Sequence, residues 1–342
     1  MKKSDIQQKI VSVTSFLLFC GVAFHTYAQD PNDSSEIIGN PVTIVSICFN
    51  DKSLEQITSF VEQEAVKDVD MIVLPECWTG TRNPETLDGT TIKTMSRLAA
   101  QNHCYIVSPI LRREEEFCFN STVLINRQGK VVCVYDKIYP YFSEFNSNNP
   151  LTPGQKDVQV YDTDFGRVGF SICFDAKFPE VWQRLRDRGA EIVIWPSAYS
   201  GGTELQAFAL MHHYYILTST WTGDCLVYDF TGRPLLDKPR DNDVTVARIT
   251  LDMDRRIYHY NLNQDKLKKL LAEHGDDIER EIDMPREEWF VLKAKKPGVS
   301  VRKLASQYGL EELRDYKDRS RNYMDEKRGF KFAEKYGGYH RK

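Results

Sequence analysis

Gly169-Phe-Ser-Ile-Cys173-Phe-Asp-Ala-Lys-Phe-Pro179-Glu-Val-Trp-Gln-Arg-Leu185 is the stretch on which the reading of the fold turns. Residues 167–173 are largely apolar and β-like, and Pro179 stands where a helix can begin. A proline suits a first helical turn because its φ is preset and its missing N–H would be unsatisfied there anyway. A strand that runs into a cysteine and then a helix predicts α/β layering. It also holds the thiol rigidly at the opening above a sheet. Such a thiol needs help to ionise, since an unperturbed cysteine has a pKa of about 8.5. The segment alone does not separate a nucleophile from a core cysteine.

Two upstream segments supply what the thiol lacks. In Val69-Asp-Met-Ile-Val-Leu-Pro75-Glu76-Cys-Trp78, an apolar run ends on a carboxylate, at the end of a strand where α/β sheets place their sites. In Val132-Cys-Val-Tyr-Asp136-Lys137-Ile-Tyr-Pro-Tyr-Phe-Ser-Glu144, a lysine ends a strand among aromatic residues. That setting favours an oriented, partly desolvated ammonium. Around these segments, apolar runs alternate with helical patterns. Strands are expected at 42–49, 69–74, 105–110, 158–163, 167–173, 191–195, 215–220, 225–229 and 244–251, with helices at 54–66, 92–100, 179–189 and 204–213. Residues 120–126 and 130–136 flank Arg127-Gln128-Gly129 as a hairpin. The pattern predicts a layered α/β domain with mixed sheets.

Past Leu251 the texture changes. Residues 262–274, 287–292 and 301–323 are charged and amphipathic, so 252–342 is expected to be a charged, mainly helical extension. From Arg314 to Lys342 ten Lys and Arg face five Asp and Glu, a net +5. Such runs are ordinarily solvated helix faces; the competing reading is an arm that docks on a second subunit.

At the other end, Lys2, Lys3 and Lys9 precede the apolar stretch Val11–Phe24, and Thr26-Tyr-Ala28 offers small side chains before Gln29. This is the three-part pattern of a secretory signal peptide over residues 1–28, with an uncleaved anchor as the alternative. It predicts an exported protein. No other apolar run approaches the length of a membrane helix. A formal net charge of −4 over 342 residues gives no footprint for nucleic acid. Of eight cysteines, Cys20 falls in the leader and seven remain, an odd number that cannot pair completely. Most read as small buried hydrophobes.

Together the segments resemble the nitrilase superfamily of carbon–nitrogen hydrolases, whose mark is a Glu, Lys, Cys triad in that chain order. Pro75-Glu76, Tyr135-Asp-Lys137, Gly169-x-x-Ile-Cys173-Phe-Asp-x-x-Phe-Pro-Glu180, Arg188-Gly-Ala-Glu-Ile-Val-Ile-Trp-Pro-Ser197, Phe119-Asn-Ser-Thr-Val-Leu-Ile125 and Thr152-Pro-Gly154 all fit. The likeness covers roughly residues 41–251. Two positions depart from the pattern: Tyr139 stands where many members carry His, and Ala209-Leu-Met-His-His-Tyr-Tyr215 replaces a common Arg-Ala-x-Glu-Asn helix.

The resemblance implies a four-layer αββα sandwich and amidase-type chemistry on non-peptide C–N bonds. Cys173 would attack the carbonyl carbon and form a thioester. Glu76 would act as general base, and Lys137 with the backbone N–H of Phe174 would stabilise the oxyanion. Glu144 matches the second glutamate that positions substrate. Trp78, Tyr141, Trp195 and Tyr199 are candidate pocket walls. A thiolate is favoured beside Lys137, and no metal or organic cofactor is needed. The expected partners are a small-molecule amide and a second copy of the chain. The alternatives are a soluble N-acyltransferase, or a nitrile or carbamoyl hydrolase with the same triad. A papain-like enzyme would have to use His212 or His213, and no papain-type motif surrounds Cys173. The same pair is adjacent rather than four apart, unlike a metalloprotease helix.

Overall fold

The computed structural model describes residues 38–329, so the leader-like segment, Cys20 and residues 330–342 lie outside the described residues. The chain first lays down β1 (Pro41–Phe49), α1 (Leu54–Ala65), β2 (Met71–Val73), α2 (Thr90–Asn102), β3 (Tyr105–Glu114), β4 (Phe117–Ile125) and β5 (Val131–Asp136). β1, β2 and β3 pair in parallel, and β4 and β5 continue as an antiparallel meander. β1 reads as one apolar run because both of its faces are covered. Val42, Ile44 and Cys48 enter one core, whereas Val45, Ile47 and Phe49 enter another beneath α1 and α2. α1 starts on a capping box, in which Ser53 and Gln56 bond each other's backbone N–H. The β4–β5 hairpin turns at Gly129, with φ +74°; a Cβ there would meet the Ser96 carbonyl at 2.4 Å.

A second half follows with β6 (Val160–Asp162), β7 (Arg167–Phe170), α3 (Pro179–Asp187), β8 (Ile192–Ser197), α4 (Thr203–His212), β9 (Tyr215–Thr220), β10 (Cys225–Tyr228) and β11 (Pro234–Lys238). β12 (Val244–Asp252) then returns to the first sheet beside β1. The two six-stranded sheets run β12-β1-β2-β3-β4-β5 and β11-β10-β9-β8-β7-β6. They share one core, in which Ile44, Met71 and Tyr135 of the first sheet join Phe170, Ile192 and Leu217 of the second. Two polar stitches cross it: Ser46 Oγ donates to the Thr218 carbonyl at 2.8 Å and Ser219 Oγ to the Ile47 carbonyl at 3.0 Å. Helices on both outer faces complete the α/β sandwich.

Past β12 the helices expected in the extension are joined by a three-stranded sheet that was not expected. This region holds β13 (Arg256–His259), α5 (Tyr260–His274), β14 (Ile278–Met284), β15 (Trp289–Ala294), α6 (Val301–Gln307) and α7 (Leu313–Lys327), with the strands ordered β13-β15-β14. Within 287–292, residues 289–292 are strand rather than helix because their apolar side chains serve two cores at period two. Trp289 and Val291 join the large inter-sheet core, and Phe290 and Leu292 pack with Leu267, Leu270 and Val301. Gly309, with φ +69°, separates α6 from α7 where one continuous helical pattern was expected. α7 lies on its own chain. Arg314 donates to the carbonyls of Ala190 and Arg186, and Arg321 bonds Asp187 at 3.0 Å.

The sheets bring four strand ends to one rim. β2 ends three residues before Glu76, β5 immediately before Lys137, β7 three residues before Cys173, and β8 on Ser197. The strand expected to reach Cys173 stops at Phe170. Cys173–Lys177 is a 3-10 turn, and Pro179 opens α3.

Candidate active site

Glu76, Lys137 and Cys173 come from three separate loops and are all buried. Lys137 Nζ lies 2.9 Å from Glu76 Oε1 and 2.8 Å from Glu144 Oε2, so one ammonium bridges two carboxylates. Asn120 on β4 spans the same pair. Its Nδ2 donates to Glu76 Oε1 at 2.6 Å and to Glu144 Oε1 at 3.3 Å. Glu76 Oε2 is buried and has no hydrogen-bond partner. Trp221 Nε1 fixes the Glu76 backbone by donating to its carbonyl. Glu144 sits in the short turn Phe142–Asn146 and also accepts from the backbone N–H of Tyr141.

The turn that carries the thiol is clamped. Cys173 has φ +46°, an unusual backbone for a residue with a Cβ, costing roughly 1–3 kcal/mol. Its carbonyl accepts from Trp195 Nε1 at 3.1 Å. Asp175, fully buried, ties the turn to the lysine loop. It accepts from Tyr135 Oη at 2.7 Å, from the N–H of Tyr139 at 2.8 Å and from the N–H of Ile172 at 3.0 Å. Burial pushes its carboxyl up to about 6, against these donors and Lys137.

Charge around the sulfur differs from the expectation of a lysine-favoured thiolate. Burial and then the Glu76 carboxylate push the Cys173 thiol up to about 12, outweighing Lys137, the Ala198 N–H and Ser197. The resting group at neutral pH is therefore a thiol, and reaction requires a base beside it. Burial disfavours the Lys137 ammonium, but Glu76, Cys173 and Glu144 together hold its pKa above the ordinary value. It stays charged.

The candidate pocket walls divide. Tyr141 is 54% exposed and meets the Phe174 ring edge-on at 5.1 Å, at the mouth. Tyr199 is half-buried against Trp195. Trp195 is wholly buried beneath the thiol turn and acts on the backbone of Cys173 rather than forming a wall. Trp78 belongs to the helix-side core, packed on Phe49 with its Nε1 on Ser108 Oγ, because the chain turns over at Cys77 and points it away from the site. Asn120, Asp175 and Trp221 were not singled out from sequence. Asn120 falls within the strand expected at 120–126. The available signal was a polar side chain inside the apolar strand next to the lysine strand; at 2% exposure it contacts both glutamates instead of solvent.

The seven described cysteines are all free. His212 and His213 are pushed down to about 4 and about 3, chiefly by burial and then by Lys317, so both are neutral. His213 Nδ1 faces the Phe230 carbonyl at 3.2 Å.

The family model for carbon-nitrogen hydrolases matches residues 48–257. Deaminated glutathione amidase of Dictyostelium discoideum is 27% identical over 251 residues, spanning 62% of this chain and 86% of that protein. Citrullinase of Francisella tularensis is 23% identical, over 68% and 96%. Omega-amidase NIT3 of Saccharomyces cerevisiae is 24% identical, over 72% and 87%. Two solved structures share the fold. One is an amidase from Nesterenkonia sp. carrying the acetamide moiety of fluoroacetamide on its active-site cysteine, with TM-score 0.56, 17% identity, and coverage of 70% of this chain and 99% of that one. The other is Saccharomyces cerevisiae Nit3, with TM-score 0.53, 20% identity, and coverage of 63% and 92%.

Proposed function

The chain belongs to the carbon-nitrogen hydrolase family, and from that premise we propose an amidase that cleaves non-peptide C–N bonds through a thioester on Cys173. The observation that carries this reading is the burial of Glu76, Lys137 and Cys173 together, with Glu76 Oε1 held by Lys137 and Asn120 while Oε2 has no partner. Oε2 takes the Cys173 proton as the sulfur bonds the carbonyl carbon. The oxyanion forms against the Lys137 ammonium and the backbone N–H of Phe174. Preorganised donors of this kind are worth about 3 kcal/mol each. Glu76 returns the proton to nitrogen, the C–N bond breaks and ammonia leaves. Water then attacks the thioester, passing its proton to Glu76 and on to the departing sulfur, and a carboxylic acid is released. Glu144 and Asn120 hold Lys137 and Glu76 in register.

The leader-like residues 1–28 support export of this enzyme, and a second copy of the chain is its expected partner. Ammonia release screened over amides, ureido acids and nitriles tests the activity. Amides are expected to turn over, with Cys173→Ala silent on every compound; release by that variant at wild-type rates would overturn the reading.

A further inference from the structure

Tyr199 holds a hydroxyl for which the mechanism above has no use. The atom is buried and has no hydrogen-bond partner. A buried polar group left in this state costs stability, so its retention asks for a ligand. Its placement is fixed. Trp195 meets the Tyr199 ring edge-on at 5.2 Å and donates its indole N–H to the Cys173 carbonyl. The Tyr199 N–H is anchored on Ser197 Oγ at 3.0 Å. Burial pushes the phenol's pKa up, and Cys173, Glu204 and Glu76 push it the same way against Lys137. The segment 197–199, at the end of a strand of the second sheet, therefore lies against the Cys173 turn, with Ser197 and the Ala198 N–H at the sulfur.

A carbonyl carbon bound to Cys173 has three other substituents. Its oxygen goes to Lys137 and Phe174, and its nitrogen goes to Glu76. The acyl chain is left for the segment 197–199 that adjoins the sulfur, where Tyr199 holds its unpartnered hydroxyl. We propose that Tyr199 is a specificity-determining residue that hydrogen-bonds a heteroatom on the carbon next to the scissile carbonyl. The substrates it selects are amides whose acyl group carries a hydroxyl or an amine at that position. The phenol donates to a hydroxyl oxygen and accepts from an amine. This inference rests on the amidase reading for the direction of the acyl chain.

The test compares 2-hydroxypropanamide and 2-aminopropanamide with propanamide, in wild type and Tyr199→Phe. Wild type is expected to prefer at least one substituted amide by about ten- to hundredfold in kcat/KM, chiefly through KM, and Tyr199→Phe to bring that ratio close to one. The melting temperature of Tyr199→Phe should not fall, because no protein bond is lost. The same ratios are read as dissociation constants on Cys173→Ala and on Cys173→Ala/Tyr199→Phe by calorimetry, which needs no turnover. Turnover with equal ratios in wild type and Tyr199→Phe overturns the role of Tyr199 alone, as does a lowered melting temperature with parallel loss on all three amides. No turnover, with the binding preference present and dependent on Tyr199, overturns hydrolysis and leaves Tyr199 standing. Neither turnover nor binding preference overturns both.

Discussion

Cys77 and Cys173 are built alike up to the sulfur. Each follows a short buried strand, β2 or β7, and each takes a positive φ, 38° and 46°. Both are almost wholly buried, and burial pushes both thiols up. They differ in what surrounds the sulfur. Cys77 packs behind Glu76 in a small apolar cluster with Leu111, Cys118 and Leu151. Cys173 stands among Glu76, Lys137, Ser197 and the Ala198 N–H. Strain, burial and the nearby Glu76 and Lys137 charges are thus common to both; the Ser197 and Ala198 donors at the sulfur belong to Cys173 alone, and on the proposed reading they single it out as the nucleophile.

The sharpest way to break that comparison is to remove each sulfur in turn. Cys173→Ala should lower ammonia release at least about a thousandfold, the scale of losing a covalent nucleophile. Cys77→Ala should keep activity within about tenfold and cost about 1 kcal/mol of stability, as the loss of one buried atom in a small cluster does. Equal losses in steady-state kinetics would mean that the strained turns, not the surroundings, carry the chemistry.

Asn120 tests the surroundings with both sulfurs in place. Its single amide reaches both glutamates, and a hydrogen bond to a charged group is worth about 1.5–3 kcal/mol. Asn120→Ala should lower kcat about ten- to hundredfold. Asn120→Asp should be worse, since it sets a third carboxylate beside Glu76 and Glu144. Wild-type kcat in Asn120→Ala would remove the residue from the account.

Asp175 yields a smaller effect with a defined sign. Its folded pKa is raised to about 6, so between roughly pH 4 and 6 the folded chain holds a proton that an unfolded one has released. Its contribution to stability is full below that window and is lost as pH rises through 6. Activity runs the other way, because protonation converts an acceptor of the Tyr135, Ile172 and Tyr139 bonds into a donor. kcat should fall below about pH 6, and Asp175→Asn should lack that limb in its pH–rate profile. An unchanged limb in Asp175→Asn would assign it to another group.

Much of this layout was legible in the chain. Buried parallel strands such as β1, β8 and β9 announce themselves as apolar runs, and the carboxylate, lysine and thiol each close one. The short, half-exposed β11 lacks such a run and was not anticipated. β15 was read as helical because its apolar residues serve two cores, a fact of tertiary packing that no local period reveals. Trp78 and Trp195 looked alike in sequence, yet the reversal at Cys77 sends one to the helix-side core while the other lies beneath the thiol. Asn120 and Asp175 stayed hidden for a related reason. Their roles depend on groups 44 and 40 residues away in the chain, Glu76 and Tyr135, and only folding brings those together.

The central claim is that the Cys173 sulfur, activated by Glu76, bonds the substrate carbon. Intact mass spectrometry of Glu76→Gln mixed with fluoroacetamide, followed by peptide mapping, addresses it directly. Replacing Glu76 removes the base for amide turnover, which should fall to baseline, and also removes the carboxylate that helps push the Cys173 thiol up, so the sulfur can lose its proton to solvent and displace fluoride from the carbon that bears it. A single acetamide adduct on the peptide containing Cys173, with Cys77 unmodified, is the predicted result. An adduct on Cys77, or undiminished ammonia release with Cys173 unmodified, would contradict it.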